Sequence, residues 1–223
     1  RVLPVVESLS SLAIPVSIDT RKPEVASRAL ASGAAIVNDV GGLADPLMVE
    51  AIARAGAGAI ALHMRGSPED MQRDPRYDDL VGEVTAFLAA AALRAEAGGV
   101  APEAIALDPG IGFGKALAHN LELLRRLDEI ALLGRPVVVG VSRKRFLGAV
   151  TGRDGGERLP GGLAATAVAV RRSTSRSPLP KITWRRPRLN STAPRPRSKR
   201  WKRRATRRYR CERKSTARAA VTA

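Results

Sequence analysis

Residues Ile105-Ala-Leu-Asp-Pro-Gly-Ile-Gly-Phe-Gly-Lys115 decide how this chain is interpreted. The apolar run from Ile105 to Leu107 predicts a buried strand, and Asp108 follows at its carboxyl end. The glycine-rich loop after it lets the backbone approach another group closely. Ligands of α/β proteins bind at the carboxyl ends of strands. The stretch therefore predicts a binding site, although a simple turn capped by Asp108 would use the same residues.

This loop matches neither of two common nucleotide-binding motifs. A phosphate-binding P-loop needs glycine at position 109 and serine or threonine at position 116, where the chain has Pro109 and Ala116. A dinucleotide fingerprint needs glycine where Lys115 stands. Neither motif therefore explains the loop, and a simple βα turn stays open beside a binding site.

Strands and helices alternate five times along the chain, which predicts parallel βαβ units. Helices are predicted at about 1–12, 22–32, 45–56, 79–97, 120–133 and 161–170. The predicted strands are 16–18, 35–37, 59–62, 105–107 and 136–141. Each strand ends in polar residues, namely Asp19, Asn38, His63, Asp108 and Ser142. Polar residues at every carboxyl end predict one shared site on one face of the sheet.

The fold class predicted from this layout is α/β, a partial (β/α)8 TIM barrel with about five of its eight βα units recognisable. A doubly wound sheet is the runner-up, because a TIM barrel typically needs about 250 residues and the patterned part stops at residue 170. The predicted domains are a body at 1–170 and a tail at 171–223.

The net charge of +17 lies entirely in the tail. Residues 171–223 hold 20 of the 38 Lys and Arg but one of the 21 Asp and Glu, so the body is slightly acidic. The tail contains four Leu, Ile, Val or Phe residues, too few to bury a core, so it is predicted to be disordered. Its Trp184, Trp201 and Tyr209 could stack on bases between arginines. The tail is either an RNA-binding extension or a frameshift product, and we favour the frameshift.

The single cysteine, Cys211, excludes a disulfide framework and predicts a reducing, cytoplasmic location. No apolar run approaches the roughly 20 residues of a membrane span, so no membrane association is expected. The chain starts with Arg1 inside a predicted helix, so a fragment is expected.

Four polar residues share one topological position, at or just after the carboxyl end of a predicted strand: Asp19, Asn38, Asp108 and Lys144. Two carboxylates, an amide and a lysine suit a flat heterocycle rich in hydrogen-bond donors and acceptors. Each has a structural explanation as well, and Lys144 could belong to a solvated charge cluster.

Other polar or aromatic residues have simpler explanations. His63 is interpreted as a core histidine, Asp39 as a capping or turn residue and His119 as a helix-start residue, while Phe113 could be plain packing.

Five short stretches at or near strand ends stand out, in this order: Pro15-Val-Ser-Ile-Asp-Thr20 with Lys22-Pro-Glu-Val25, Ile36-Val-Asn-Asp-Val40, Leu62-His-Met-Arg-Gly66, Leu107-Asp-Pro-Gly-Ile-Gly-Phe-Gly-Lys115, and Gly140-Val-Ser-Arg-Lys144 followed by Glu157-Arg-Leu-Pro-Gly161. Together they resemble dihydropteroate synthase, a family of pterin-binding TIM barrels, over about residues 1–170. The resemblance implies condensation of 7,8-dihydropterin-6-ylmethyl diphosphate with 4-aminobenzoate to dihydropteroate and diphosphate, a transferase step of folate biosynthesis and a sulfonamide target.

The resemblance implies substrate-binding roles for seven residues. Asp19, Asn38 and Asp108 would bind the pterin, and Lys144 would contact it near the aminobenzoate. Asp19 and Lys144 would be the catalytic residues. The anionic face near Asp19 would stabilise positive charge developing on the pterin methylene. The pocket around the aminobenzoate would be formed by Ser142, Met64 and Phe113.

The resemblance also implies Mg²⁺ as cofactor and a possible homodimer. The family's magnesium-binding asparagine belongs to an opening strand that is expected before Arg1, so no metal ligand is predicted in this chain. The family's final strand, with an Arg-Val-His-Asp segment, is expected after Val170, where the chain instead reads Arg171-Arg-Ser-Thr-Ser-Arg176.

Two further functions stay open at this point. The first is a methyltetrahydrofolate-dependent methyltransferase of the same superfamily, which shares a pterin pocket. The second is a nucleic-acid-binding protein that acts through its basic tail, for which non-specific binding to polyanions is expected.

Overall fold

The computed structural model describes residues 2–12 and 14–174, all within one compact unit, Arg1–Leu189. The predictions for the tail beyond residue 174, including Cys211, lie outside the described residues. Among the described helices, none has both the length and the apolar character needed to cross a bilayer.

The strands are β1 (Ser17–Asp19), β2 (Ile36–Asp39), β3 (Gly58–Leu62) and β4 (Ile105–Asp108). The helices are α1 (Leu3–Leu9), α2 (Pro23–Ala31), α3 (Pro46–Ala55), α4 (Leu80–Ala97), α5 (Leu117–Arg125), α6 (Leu127–Ala131), α7 (Arg145–Thr151) and α8 (Leu159–Ser173).

The strands form one parallel sheet in the order β1-β2-β3-β4. An isolated parallel bridge between Leu107 and Val137 continues the same order after β4. A doubly wound sheet would reverse its strand order at a switch point, and no reversal occurs within residues 2–12 and 14–174. The order is that of consecutive units of a (β/α)8 barrel.

The two faces of the sheet differ in what covers them. The large apolar cluster on one face joins the strands to the helices and includes Val37, Ala61, Leu88 and Leu107. Among the described residues, the second cluster consists of Ala35, Ile36, Ile60 and Ala106, with Val138 packed against it, and none of these lies in a helix. Because side chains alternate across a strand, this second face also carries Asn38 and Asp108. Helices on one face and small apolar residues on the other are the arrangement of a barrel wall and its interior.

The predicted fifth strand, 136–141, is wrong as a strand of that length. The amide of Leu107 donates to the carbonyl of Pro136 at 2.9 Å, and the amide of Val138 donates to the carbonyl of Leu107 at 2.8 Å. In a parallel ladder the next donor would be residue 109, which is Pro109 and has no N–H. Pairing therefore stops after a single bridge, although the segment lies where a fifth strand would lie.

Three helices also differ from the prediction. The predicted helix 120–133 begins earlier and divides into α5 and α6 at Arg126, whose backbone leaves helical geometry at φ −107° and ψ 26°. The guanidinium of Arg126 bridges Glu122 on one helix and Glu129 on the other. Helix α7 was not predicted, because its seven residues are too few for a clear apolar period. Helix α8 runs on through Ser173, past the predicted domain boundary after residue 170.

Candidate functional site

Asp19 and Asn38 lie side by side at the carboxyl ends of β1 and β2. The parallel register pairs them directly, and the Nδ2 atom of Asn38 donates to Oδ2 of Asp19 at 3.2 Å. The Oδ1 atom of Asn38 is buried and has no hydrogen-bond partner among the described residues. A buried, unpaired amide oxygen is costly. The pair therefore presents one free acceptor beside a carboxylate, as a site for a ligand N–H would.

Asp39 has the turn role predicted for it. Its carboxylate accepts from the amide of Gly41 at 2.8 Å and from that of Leu43 at 2.9 Å. Burial raises its pKa, and these amides oppose that rise. Because its side chain is on the opposite face of β2 from Asn38, Asp39 braces the β2–α3 loop and does not face the candidate site.

Asp108 ends β4 and is almost fully buried. Its Oδ1 accepts from the amide of Gly110 at 2.8 Å. Burial raises the pKa of Asp108 to about 6, while the Gly110 amide, Lys144 and Lys115 act against the rise. A carboxyl group with a pKa of about 6 can accept hydrogen bonds from a bound heterocycle when it is ionised, and can donate one when it is protonated.

The strand ends of β3 and β4 touch at Gly110. Its φ is +70°, and a Cβ atom there would lie 1.8 Å from the carbonyl oxygen of His63. Glycine is therefore required for both its backbone angle and its close approach. This contact fixes the start of the glycine-rich loop against the end of β3.

Lys144 and Phe113 meet on the other side of that loop. The Nζ atom of Lys144 lies 4.0 Å from the centroid of the Phe113 ring, a cation–π distance. Burial lowers the pKa of Lys144, and the nearby Asp108 opposes this. Arg143, just before Lys144, has φ 55°, so the backbone turns sharply to bring the lysine inward.

A pocket of about 490 Å³ opens beside these residues. Ser142, Lys144 and Lys115 line it together with Gly112 and Phe146. Ser142 is exposed there. Met64 follows β3 directly and is half-buried, but it is not among the residues that line this pocket.

The structure thus brings the predicted residues into two groups on one face of the sheet. Asp108, Phe113 and Lys144 form one group, and Asp19 with Asn38 forms the other. Two strand spacings, roughly 10 Å, separate Asn38 from the strand of Asp108. A fused-ring heterocycle has about the size to reach across the face between them.

The glycine-rich loop is held by side chains that the sequence did not single out. The Gln72 amide donates to the carbonyl of Gly112 at 2.8 Å, and the Tyr77 hydroxyl donates to that of Gly114 at 2.8 Å. Buried Asn120 accepts from the amide of Gly112 at 2.6 Å and donates to the carbonyls of Lys115 and Ala116. Asn120 stands three residues into α5, and only its place next to the loop in the fold reveals this role.

His63 and His119 have the structural roles predicted for them. His63 is 6% exposed, and its pKa is lowered to about 3 by burial and by the nearby Lys115, so it is neutral. His119 accepts from the amide of Ala116 at 3.1 Å at the start of α5. Within residues 2–12 and 14–174, no three His, Cys, Asp or Glu side chains come together to hold a metal ion.

A family model described as pterin binding enzyme matches residues 1–176. The chain belongs to the pterin binding enzyme family. One relative is the dihydropteroate synthase of Neisseria meningitidis serogroup C, with 45% identity over 176 residues, 77% of this chain and 62% of the relative. The dihydropteroate synthase of Escherichia coli K12 is 42% identical over 171 residues, 76% of this chain and 61% of the relative. The chain therefore spans about three fifths of the length of these curated relatives.

Solved structures confirm the fold of the chain. The dihydropteroate synthase of Thermus thermophilus, in complex with 4-aminobenzoate, is 53% identical with a TM-score of 0.73, over 76% of this chain and 69% of that one. A second structure from that organism is a complex with 6HMPPP, with the same identity and TM-score, over 76% of this chain and 68% of that one. The TIM-barrel class predicted from the alternating pattern is thus confirmed, and the doubly wound runner-up is wrong.

Proposed function

We propose that this chain carries the pterin site of a dihydropteroate synthase, which joins 7,8-dihydropterin-6-ylmethyl diphosphate to 4-aminobenzoate with release of diphosphate. The observation that carries the proposal is the buried, unpaired Oδ1 of Asn38 beside the Asp19 carboxylate, on the same face of the sheet as Asp108. The names of the similar proteins support this reaction.

The pterin ring would lie across this face with its polar edges toward three side chains. Asn38 Oδ1 would accept from one N–H group, and the Asp108 carboxylate would accept from the amino group and a ring N–H, which a carboxylate can do with its two oxygens. Lys144 would donate to a ring acceptor from the other side. Because Asp108 is buried and Lys144 is half-buried, these hydrogen bonds would form with little competing water.

The reaction breaks the bond between the pterin methylene carbon and the diphosphate oxygen, and the electron pair leaves with diphosphate. The Asp19 carboxylate would stabilise the positive charge that develops on the methylene group. The amine nitrogen of 4-aminobenzoate then forms the new bond to that carbon and loses a proton. Asp19 is suited to this role because Asn38 already fixes one of its oxygens at 3.2 Å.

The 4-aminobenzoate would occupy the pocket of about 490 Å³ next to Lys144. Ser142 and Lys144 would meet its polar groups. Phe113 is not among the described residues that line this pocket, although its ring contacts Lys144, and it stays a predicted apolar wall. Met64 stays a predicted apolar wall. A homodimer and a cytoplasmic location also stay predictions.

Magnesium, implied by the resemblance, stays a prediction, and no protein ligand for it was predicted in this chain. The described residues contain no group of three His, Cys, Asp or Glu side chains placed to hold a metal ion. The assignment of residue roles above therefore uses no metal ion.

Direct binding tests the proposal. The full chain is titrated with 6-hydroxymethyl-7,8-dihydropterin by calorimetry, and dihydropteroate formation is followed with the diphosphate substrate and 4-aminobenzoate. We expect saturable pterin binding that Asn38→Ala and Asp108→Ala each weaken about tenfold or more, since each removes a hydrogen bond to a buried group. Glu50→Ala, on the exposed surface of α3, is the control and should bind like the parent chain.

Absence of pterin binding by the full chain would overturn the proposal. The methyltransferase alternative predicts binding of methyltetrahydrofolate with methyl transfer to a corrinoid, and the same protein sample can be assayed for that. Nucleic-acid binding through residues 175–223 stays a prediction, because those residues lie outside the part of the chain that the structure describes.

A further inference from the structure

Five successive carbonyl groups of the glycine-rich loop, those of residues 112–116, each accept a hydrogen bond from a side chain. Gln72, Tyr77 and Asn120 supply four of these hydrogen bonds, and Lys115 supplies the fifth, to the carbonyl of Phe113 at 3.0 Å. The loop has no regular secondary structure over this stretch, so these side chains fix its shape.

Lys115 is the only charged residue among these donors, and it is 3% exposed. Besides the carbonyl of Phe113, its Nζ atom contacts Nδ1 of His63 at 2.9 Å and the carbonyl oxygen of His63 at 3.5 Å. An ammonium group has three protons, and three acceptors surround it here. The side chain therefore ties the end of β3 to the middle of the glycine-rich loop.

The far end of this connection is a group of the proposed pterin site. The backbone of Phe113 is held by Lys115, and the Phe113 ring holds the Lys144 ammonium at 4.0 Å. We propose that Lys115 is a positioning residue that sets the place of Phe113, and through it of Lys144, for the bound pterin and aminobenzoate. The inference rests on the proposed function for its ligands, but its geometric part can be tested without any ligand.

The environment of the Lys115 ammonium group is consistent with a buried connection between His63 and Phe113. Burial lowers its pKa to about 7; Asp108 raises it and Lys144 lowers it further. The ammonium group accordingly depends on its acceptors to stay charged in the interior. A charged Lys115 can only donate to Nδ1 of His63, and the imidazole proton is then on Nε2.

Fluorine NMR gives a direct measure of the position of Phe113. The chain has three phenylalanines, so labelling with 4-fluorophenylalanine gives three resonances, and Phe113→Leu assigns one of them. We expect Lys115→Met to shift or broaden the Phe113 resonance, while the resonance of Phe87, which contacts His63 edge-on, reports on the other end of the link. Arg125→Met, which changes an exposed cation on α5, should move none of them.

The ligand-dependent part is a comparison of affinities on the same proteins. Lys115→Met should bind 6-hydroxymethyl-7,8-dihydropterin about ten- to a hundredfold more weakly while keeping a cooperative thermal transition. Nitrogen NMR should find His63 as the Nε2–H tautomer in the parent chain and as mixed tautomers in the variant. A simple packing role for Lys115 would not change the tautomer.

His63→Leu tests the other end of the link if Lys115→Met does not fold. It removes the Nδ1 partner of Lys115 without adding a fourth fluorinated ring, and it should shift the Phe113 resonance in the same way. An unchanged Phe113 resonance in both variants, or unchanged affinity in Lys115→Met, would overturn the inference. If the parent chain binds no pterin but the resonance shifts, the proposed function fails and the positioning role stands.

Discussion

Asn38 donates its amide hydrogen to the Asp19 carboxylate at 3.2 Å and leaves its own oxygen buried and unpaired among the described residues. The two residues face each other in register at the ends of adjacent parallel strands. Orientation of the Asn38 amide is therefore set by Asp19, and the free acceptor always points the same way relative to the carboxylate.

The first prediction concerns this orientation. Asp19→Asn removes the negative charge while an amide oxygen can still accept from Asn38, so pterin binding should fall only a few-fold. Turnover should fall by about a hundredfold or more, because the charge that stabilises the developing cation is gone. Steady-state kinetics with both substrates measures the two effects, and an equal loss in affinity and turnover would contradict the assigned role.

The second prediction concerns the contribution of Asp108 to stability. Its pKa is raised from 3.8 to about 6, so its stabilising contribution is fully present below pH 3.8 and is lost as the pH rises through about 6. The loss amounts to about 3 kcal/mol. Asp108→Asn should therefore be more stable than the parent chain at pH 7, with the advantage shrinking towards pH 4. Denaturant unfolding at several pH values measures this, and parallel stability curves would contradict it.

The third prediction concerns His63, whose contribution to stability is lost as the pH falls, whereas that of Asp108 is lost as the pH rises. Its pKa is lowered from 6.5 to about 3, so its contribution is present above pH 6.5 and is lost as the pH falls towards 3. His63→Phe should remove this acid sensitivity and flatten the stability curve between about pH 6.5 and pH 4. The helix-start residue His119 offers a control, since His119→Ala leaves the buried imidazole in place. A curve as steep as that of the parent chain would show that His63 is not the titrating group.

The fourth prediction compares two glycines with the same backbone angle. Gly110 and Gly134 both have φ +70°, but a Cβ atom at Gly134 would meet no described residue within 4 Å, whereas one at Gly110 would lie 1.8 Å from the carbonyl oxygen of His63. Gly134→Ala should cost about 1 kcal/mol, from backbone strain alone. Gly110→Ala should cost several times as much or prevent folding. Equal melting temperatures for the two variants would contradict the close approach of β3 and β4.

The fifth prediction concerns Asn120, which is 2% exposed and makes three hydrogen bonds to the loop backbone. Asn120→Leu should lower the free energy of unfolding by about 2 to 4 kcal/mol, because several buried backbone groups lose their partners. Leu121→Ala, at an exposed position of the same helix, should cost under about 0.5 kcal/mol. Chemical denaturation of both variants gives the comparison, and similar costs would contradict the role of Asn120.

The order of strands and helices could be predicted from the sequence because it depends on local patterns. Apolar runs ending in Asp19, Asn38 and Asp108 each predicted a strand, and each is one in the structure. The strand at 136–141 failed for a reason that is not local. Pro109 belongs to the neighbouring strand's end, and its missing N–H matters only when the two segments are paired.

The candidate site was predictable only as far as strand ends converge. That principle put Asp19, Asn38, Asp108 and Lys144 on one face, but it did not separate them into two groups. The roles of Asn120, Gln72 and Tyr77 were not predictable, since their contacts join residues 37 or more positions apart, or depend on the exact path of a loop.

The sequence by itself determined the class of fold and the chemistry available at the strand ends, because both follow from periodicity and residue type. Tertiary structure alone decided which polar groups lost water and which found partners. Burial made Lys115 and His63 a hydrogen-bonded pair, raised the pKa of Asp108, and left the Asn38 oxygen unpaired among the described residues. Such effects depend on distances between segments and on the exclusion of solvent, and neither is encoded in any short stretch of the chain.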